Sequence, residues 1–168
     1  SYETYEPTKA GRLIQDFVND QLSNWYVRLC RRRFWKSEDS QDKISAYQTL
    51  YTCLETVAVL GSPIAPFFMD QLFSDLNAVT KRHAVNSVHL ADFPAVNTAM
   101  INNDLEAQME IAQRVTSLVL GLRKKERLRV RQPLQKIMVP ALSADFAKNI
   151  QHISELILSE VNVKELEL

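Results

Sequence analysis

Four segments of the 168-residue chain repeat apolar residues at spacings of three and four, and this periodicity is the strongest constraint on its fold. They cover residues 8–36, residues 40–60, a shorter stretch from about Pro66, and the residues after Asn103. The fourth stripe runs through Leu105, Met109, Ala112, Val115, Val119 and Leu122. A helix with one apolar stripe must bury it against another element, so four such helices predict a helical bundle.

Local signals predict where these helices begin and end. Thr8 can cap the first helix, and Pro66 is tolerated in the first turn of the third. Gly61 suits a C-terminal cap on the second helix, and Pro63 prevents its continuation. The segment Val88–Pro94 reads as extended and is stopped by its proline.

The C-terminal residues read differently, as short β-leaning stretches around one helix. The segments are two proline-bounded strands, a helix and an alternating strand: Arg129–Leu134, Ile137–Pro140, 143–158 and Val161–Leu166. The fold class predicted is therefore mainly α. It consists of an antiparallel helical bundle over residues 1–125 and a small strand–helix–strand lobe over residues 126–168.

Positive charge is concentrated in two places, although 20 basic and 20 acidic residues leave the chain neutral. The stretch after Trp25 holds basic residues and no acid: Arg28, Arg31, Arg32, Arg33 and Lys36. The second stretch holds a single acid, Glu126, among its basic residues: Arg123, Lys124, Lys125, Arg127, Arg129, Arg131 and Lys136. A nucleic-acid site needs clustered charge rather than net charge, so neutrality does not exclude one.

The first basic cluster interrupts an apolar stripe. At about 100° per residue, the stripe through Leu22, Trp25 and Leu29 next reaches Arg32 and Lys36. Burying unpaired cations is costly, so either the last turn leaves the core or Arg32 meets an anionic partner.

A neighbouring face of the same helix carries Arg28, Arg31 and Trp35 at positions i, i+3 and i+7. Arginines can contact RNA phosphates while an exposed indole stacks on a base. The alternative is a solvated helix end that complements the helix dipole, with Trp35 packed.

The second cluster also leaves two interpretations open. Alternation would put Arg127, Arg129 and Arg131 on one side of an extended strand. Such a row could face phosphates, or it could protect an exposed strand edge from pairing.

Catalytic and metal-binding patterns are not found in the sequence. His83, His89 and His152 are scattered, so a zinc site is not predicted. Cys30 and Cys53 form no disulfide framework, which favours a reduced cytoplasmic setting. No apolar run approaches the roughly 20 residues of a membrane span, and the first residues lack the apolar region of a signal peptide. We expect a binding domain without a cofactor rather than an enzyme.

Several stretches resemble the anticodon-binding domain of isoleucyl-tRNA synthetases. They occur in the family's order and the resemblance covers roughly residues 7–168: Asn24–Arg28, Arg31–Trp35, Leu60–Phe67, Ser87–Pro94 and Arg127–Leu134. The Leu60–Phe67 junction is common to the related valyl and leucyl enzymes. Arg31–Trp35 and Val88–Pro94 are more specific and favour the isoleucyl type.

The resemblance implies a tRNA-binding module from a longer ATP- and magnesium-dependent ligase that attaches isoleucine to tRNA(Ile). Its partners would be the anticodon stem-loop and the catalytic domain of the same chain. The catalytic motifs of the family, His-Ile-Gly-His and Lys-Met-Ser-Lys-Ser, do not occur in this sequence. The candidate RNA-binding residues are Arg28, Arg31, Arg32, Arg33, Trp35, Lys36, Arg123, Arg127, Arg129 and Arg131. A purely structural or protein-binding bundle is the alternative from another class.

Overall fold

A computed structural model describes residues 2–35, 40–141 and 143–168. The α-helices within these residues are α1 (Pro7–Asp16), α2 (Arg28–Trp35), α3 (Gln41–Gly61), α4 (Pro66–Thr80), α5 (Asn103–Lys125) and α6 (Ala144–Val161). A π-helical segment, Phe17–Val27, joins α1 to α2 without a break. The two strands of the described residues are β1 (Leu134–Met138) and β2 (Val163–Glu167). The predicted fold class, mainly helical with a small strand–helix–strand lobe, is confirmed.

The chain divides into two compact units, Ser1–Val96 and Asn97–Leu168. The predicted boundary, after residue 125, lies farther along the chain. The difference arises at α5, which packs along α6 and therefore belongs to the second unit. Sequence periodicity gives the apolar face of a helix but does not say which other helix will cover it.

In the first unit, the long helical run from Pro7 to Trp35 packs against α3. The Tyr26 hydroxyl donates a hydrogen bond of 3.0 Å to the carbonyl of Ala46. The prediction that Thr8 caps this run is wrong, because Pro7 already occupies the first turn and Glu6 stands at the cap position. A proline needs no partner for a missing N–H, so the helix can begin there without a capping side chain.

Helices α3 and α4 form a hairpin around the core of this unit. Ser40 caps α3 by accepting a hydrogen bond from the Lys43 amide, and Pro66 begins α4 as predicted. The core is a cluster of buried apolar residues from α3, α4 and the segment beyond: Ala58, Val59, Phe73 and Val88.

Gly61 has a packing role that the sequence did not reveal. It is the last residue of α3 rather than a left-handed cap, so the predicted cap is wrong. A Cβ atom at Gly61 would lie 2.7 Å from Cε of Met69. The glycine therefore allows the Met69 side chain to cover the end of α3.

The segment after α4 is held by one carboxylate. Asp70 accepts hydrogen bonds from the Ser87 hydroxyl (2.7 Å) and the Val88 amide (2.8 Å). Val88–Leu90 forms a 3₁₀ turn, so the prediction of an extended segment is wrong at these residues. This turn inserts the Val88 side chain, which is 2% exposed, into the core.

The second unit is a helix pair with a small sheet. The apolar faces of α5 and α6 are buried through Ala112, Val115, Ile150, Ile153 and Ile157. Helix α6 returns the chain so that β1 and β2 pair in parallel, with Leu134 opposite Val163. Asn162 ends α6 in a left-handed conformation (φ 53°), which turns the chain into β2.

The predicted strand at Arg129–Leu134 is wrong, because β1 begins only at Leu134. Residues 126–133 instead form a turn-rich segment, which starts with Arg127 in a left-handed conformation (φ 56°). Among the described residues, none of the helices combines the length and the apolar character required to cross a bilayer.

We expect Asp70→Asn to remove a pH-dependent part of the stability. The Ser87 hydroxyl and the Val88 amide stabilise the carboxylate and hold the pKa of Asp70 below its usual 3.8. The stability that depends on this depressed pKa is present above pH 3.8 and is lost as the pH falls through the lower, folded-state pKa. Thermal unfolding across a pH series should therefore show the two proteins converging in acid.

Asp75→Asn is the matched control, because Asp75 lies on the same helix and, among the described residues, accepts a hydrogen bond only from Gln71 of that helix. We expect this variant to remain close to the unsubstituted protein at every pH. An equal pH dependence in the two variants would contradict a specific role for Asp70.

Candidate nucleic-acid interface

The first basic cluster lies at the end of the long helical run, where the buried stripe stops. Leu22, Trp25 and Cys30 are buried, whereas Arg31 and Arg32 are exposed. Of the two outcomes open for Arg32, the structure shows the first, in which the last turn leaves the core. Two guanidinium groups can therefore meet an anion from solvent without first losing a buried partner.

Trp35 is also on this surface, with 83% of the residue exposed. The alternative in which its indole is packed is wrong for the described residues. Arg28, seven positions earlier, is half-buried and has an interaction of its own. Lys36, the last candidate in this cluster, lies outside the described residues.

Arg33 is bound to the next helix of its own unit. Its Nε donates to the Asp42 carboxylate at 2.9 Å and its Nη2 donates to the Asp42 carbonyl at 3.0 Å. Nη1 donates to Sγ of Cys30 at 3.3 Å. The hydrogen bond to Asp42 raises the pKa of Arg33, which stays charged. This arginine connects α2 to the start of α3, and Asp42 was not recognised as its partner in the sequence.

The second basic cluster lies on the turn-rich segment 126–133 rather than on a strand. Arg127, Arg129 and Arg131 are exposed. The expected alternation along one strand face is therefore wrong, and so is the interpretation that these residues protect a strand edge. Among the described residues, no carboxylate forms an ion pair with any of the three arginines.

Arg123 is not part of this exposed set, which corrects its place among the candidates. The residue is 2% exposed, although it belongs to the most basic turn of α5. Its guanidinium donates to backbone carbonyls of Arg129, Gln132 and Asn162. An RNA phosphate cannot reach a side chain that is enclosed in this way. Nothing in the sequence marked Asn162, which lies between α6 and β2, as a partner of Arg123.

The described residues hold no group of three or more histidine, cysteine or acidic side chains that could bind a metal. Cys30 is buried and accepts the hydrogen bond from Arg33, and burial raises the pKa of the Cys53 thiol. A raised pKa disfavours the reactive thiolate. The exposed arginines and Trp35 thus remain the chemically distinctive groups, and their arrangement suits binding of a polyanion with bases.

Comparison with known proteins points in the same direction. A family model described as the anticodon-binding domain of tRNA ligase matches residues 1–138. An isoleucine–tRNA ligase of Cytophaga hutchinsonii is 61% identical over 167 residues, which make up 99% of this chain and 15% of that protein. A protein of the same name from Bacteroides fragilis is 62% identical over 165 residues, 98% of this chain and 14% of that protein.

A more distant relative, the isoleucine–tRNA ligase of Thermus thermophilus, is 40% identical over 164 residues. The match covers 98% of this chain and 16% of that protein. The chain thus spans only 14–16% of the length of these three relatives.

We predict a measurable but small coupling between Arg33 and Asp42. The two side chains are 33% and 59% exposed, and exposed ion pairs are worth about 0.2–1 kcal/mol. A double-mutant cycle of Arg33→Ala and Asp42→Ala, followed by chemical unfolding, should give a coupling within that range. The control cycle uses Arg114 and Glu110, an exposed pair within α5 that cannot connect two helices. Coupling no greater than the scatter between repeats would contradict the proposed link between α2 and α3.

Proposed function

Because the chain belongs to the anticodon-binding domain family of tRNA ligases, we propose that it binds the anticodon stem-loop of isoleucine tRNA. Two sets of residues would make the contacts: the exposed Arg31, Arg32 and Trp35 with the half-buried Arg28 at the end of the first helical run, and the exposed Arg127, Arg129 and Arg131 on the segment 126–133. Arg33 and Arg123 are bound to Asp42 and to backbone carbonyls of the protein, so we assign them no RNA contact. The longer ligase would attach isoleucine in the cytoplasm, using ATP and magnesium in its catalytic part.

The observation that carries this proposal is the exposed Trp35 next to the exposed arginines of α2. An indole that is 83% exposed keeps most of its apolar surface in contact with water. Stacking on an unpaired base removes that surface from water and contributes about 1–3 kcal/mol per base in single-strand complexes. Phosphates on either side of such a base are natural partners for Arg31 and Arg32.

The segment 126–133 supports the same function through its charge. It presents three arginines without a carboxylate partner among the described residues, and a guanidinium can hold a phosphate through two parallel hydrogen bonds. Phosphate contacts fix position and orientation, whereas discrimination among anticodons requires contacts to base edges. We therefore propose that these arginines contact phosphates and orient the RNA, and that they do not discriminate among anticodons.

The isoleucine assignment rests on the relatives, which carry that name and match almost the whole chain. We expect the hairpin with the isoleucine anticodon to bind more tightly than the same hairpin with a valine anticodon. Fluorescence anisotropy titrations at one fixed salt concentration would compare them. Equal affinities would contradict the anticodon specificity while leaving binding of tRNA possible.

Replacing Arg31 and Arg32 together by alanine should weaken hairpin binding by at least about tenfold. Each lost phosphate contact also removes a counterion-release term, so the slope of log affinity against log salt should fall by about 1.4–1.8. The fold should be unaffected, because both side chains are exposed.

A variant with Arg12→Ala and Arg114→Ala is the control for this double substitution. It removes the same charge from exposed positions outside both basic clusters. If it weakened binding as much as the Arg31/Arg32 variant, the arginines of α2 would act only through net charge, and the proposed contact would be wrong.

Trp35→Ala should separate RNA binding from stability. Substitution of so exposed a side chain should change the free energy of unfolding by no more than about 0.5 kcal/mol. Loss of base stacking should reduce affinity roughly 5- to 150-fold. Trp35→Phe, which keeps an aromatic ring, should retain part of the affinity. Unchanged binding by the alanine variant would exclude stacking by Trp35.

A further inference from the structure

Arg123 connects three separate points of the backbone with one side chain. Its Nη1 donates to the carbonyls of Arg129 (3.1 Å) and Gln132 (3.0 Å). Its Nη2 donates to the carbonyl of Asn162, 39 residues along the chain, at 2.9 Å. The guanidinium therefore joins the segment 126–133 to the junction between α6 and β2.

Asn162 completes this connection from the other side. Its Nδ2 donates to the Val130 carbonyl at 2.9 Å, and its own carbonyl accepts from the Leu134 amide at 3.2 Å. Asn162 adopts the left-handed conformation (φ 53°) at this junction. The carbonyls of Arg129, Val130 and Gln132 are thus held by two side chains.

Two backbone hydrogen bonds also hold the segment. The Leu128 amide donates to the Arg123 carbonyl at 2.8 Å, and the Gln132 amide donates to the Arg129 carbonyl at 3.0 Å. These bonds and those of the Arg123 guanidinium leave the segment little freedom to change its path. Arg127, Arg129 and Arg131 are among the exposed side chains of the segment.

Stability alone is a poor explanation for Arg123. A buried charge carries a desolvation penalty, which its hydrogen bonds must offset. Its Nε has no hydrogen-bond partner among the described residues, which adds to the cost. Burying this guanidinium also adds a positive charge beneath three exposed arginines that already repel one another. The hydrogen bonds of Arg123 instead restrain the backbone that carries these three arginines.

We propose that Arg123 is a positioning residue for RNA binding, and this inference rests on the function proposed above. It does not contact RNA. It holds the segment 126–133 in one conformation, so that Arg127, Arg129 and Arg131 meet phosphates without first losing conformational freedom. Preorganisation of this kind raises affinity by reducing the ordering cost of binding.

Arg123→Lys tests the proposal in the full 168-residue chain. Lysine keeps the charge, but its single ammonium cannot reproduce the planar donor geometry that joins three carbonyls. We expect faster hydrogen exchange at the amides of Leu128 and Gln132, about tenfold weaker binding of the isoleucine hairpin, and a salt slope smaller by about one. The number of exposed arginines is unchanged, so these effects would report their arrangement.

Asn162→Gly is a second variant in case the lysine variant folds poorly. Glycine adopts a positive φ readily, so only the side-chain bond to the Val130 carbonyl is removed. The same three changes are expected, with smaller amplitudes. Ile153→Val is the control for general destabilisation, because Ile153 is buried in α6 and takes no part in the hydrogen bonds that hold the segment. It should lower the unfolding temperature and leave the salt slope unchanged.

A triple variant, Arg127→Ala, Arg129→Ala and Arg131→Ala, distinguishes the two possible failures. If the triple variant loses affinity while Arg123→Lys and Asn162→Gly bind and exchange like the unsubstituted protein, the positioning role is wrong and the proposed function stands. If the triple variant binds normally, this cluster has no part in RNA binding and the positioning role falls with it. A salt slope altered by Ile153→Val would equally overturn the inference, because stability would then explain the effect.

Discussion

The structure depends on where the buried part of each apolar stripe ends, because a buried apolar side chain must pack against another element of its unit. In the first unit the buried positions of the long helical run include Leu22, Trp25 and Cys30, and beyond them the chain exposes Arg31 and Arg32. Burial of apolar side chains thus determines which basic residues reach solvent. The candidate interface begins where the next side chains along the helix are charged, because burying them without a partner would cost too much desolvation free energy.

The helices and the family could be predicted from the sequence, whereas several helix ends could not. Periodicity is a local property, so the bounds of the long helices were predicted to within a few residues, and the resemblance to an anticodon-binding domain is confirmed by the family model. Helix ends depend on contacts with distant residues. The packing role of Gly61 depends on its contact with Met69. The turn at Val88 depends on the hydrogen bond to Asp70.

The candidate site was also predictable only in part, because local patterns show helical faces but not contacts between distant residues. Exposure of Arg32 is one of the two outcomes that helical geometry left open, whereas the burial of Arg123 was not among the predictions. Its partners include the carbonyl of Asn162, and no spacing rule connects an arginine to a carbonyl 39 residues away. The strand predicted at Arg129–Leu134 failed because backbone bonds and this guanidinium together favour a closed turn over an extended conformation.

The arginines show that the acceptor within reach, and not the residue type, determines what a cation does. Arg33 bonds to a carboxylate of the next helix, Arg123 bonds to backbone carbonyls, and Arg31 is exposed. Counting basic residues therefore overestimates the charge available to RNA. In a chain of zero net charge, long-range attraction to a polyanion comes only from local clusters. Under the positioning role proposed for Arg123, affinity depends on how firmly the exposed arginines are held as well as on their number, which gives the buried cation a part in binding.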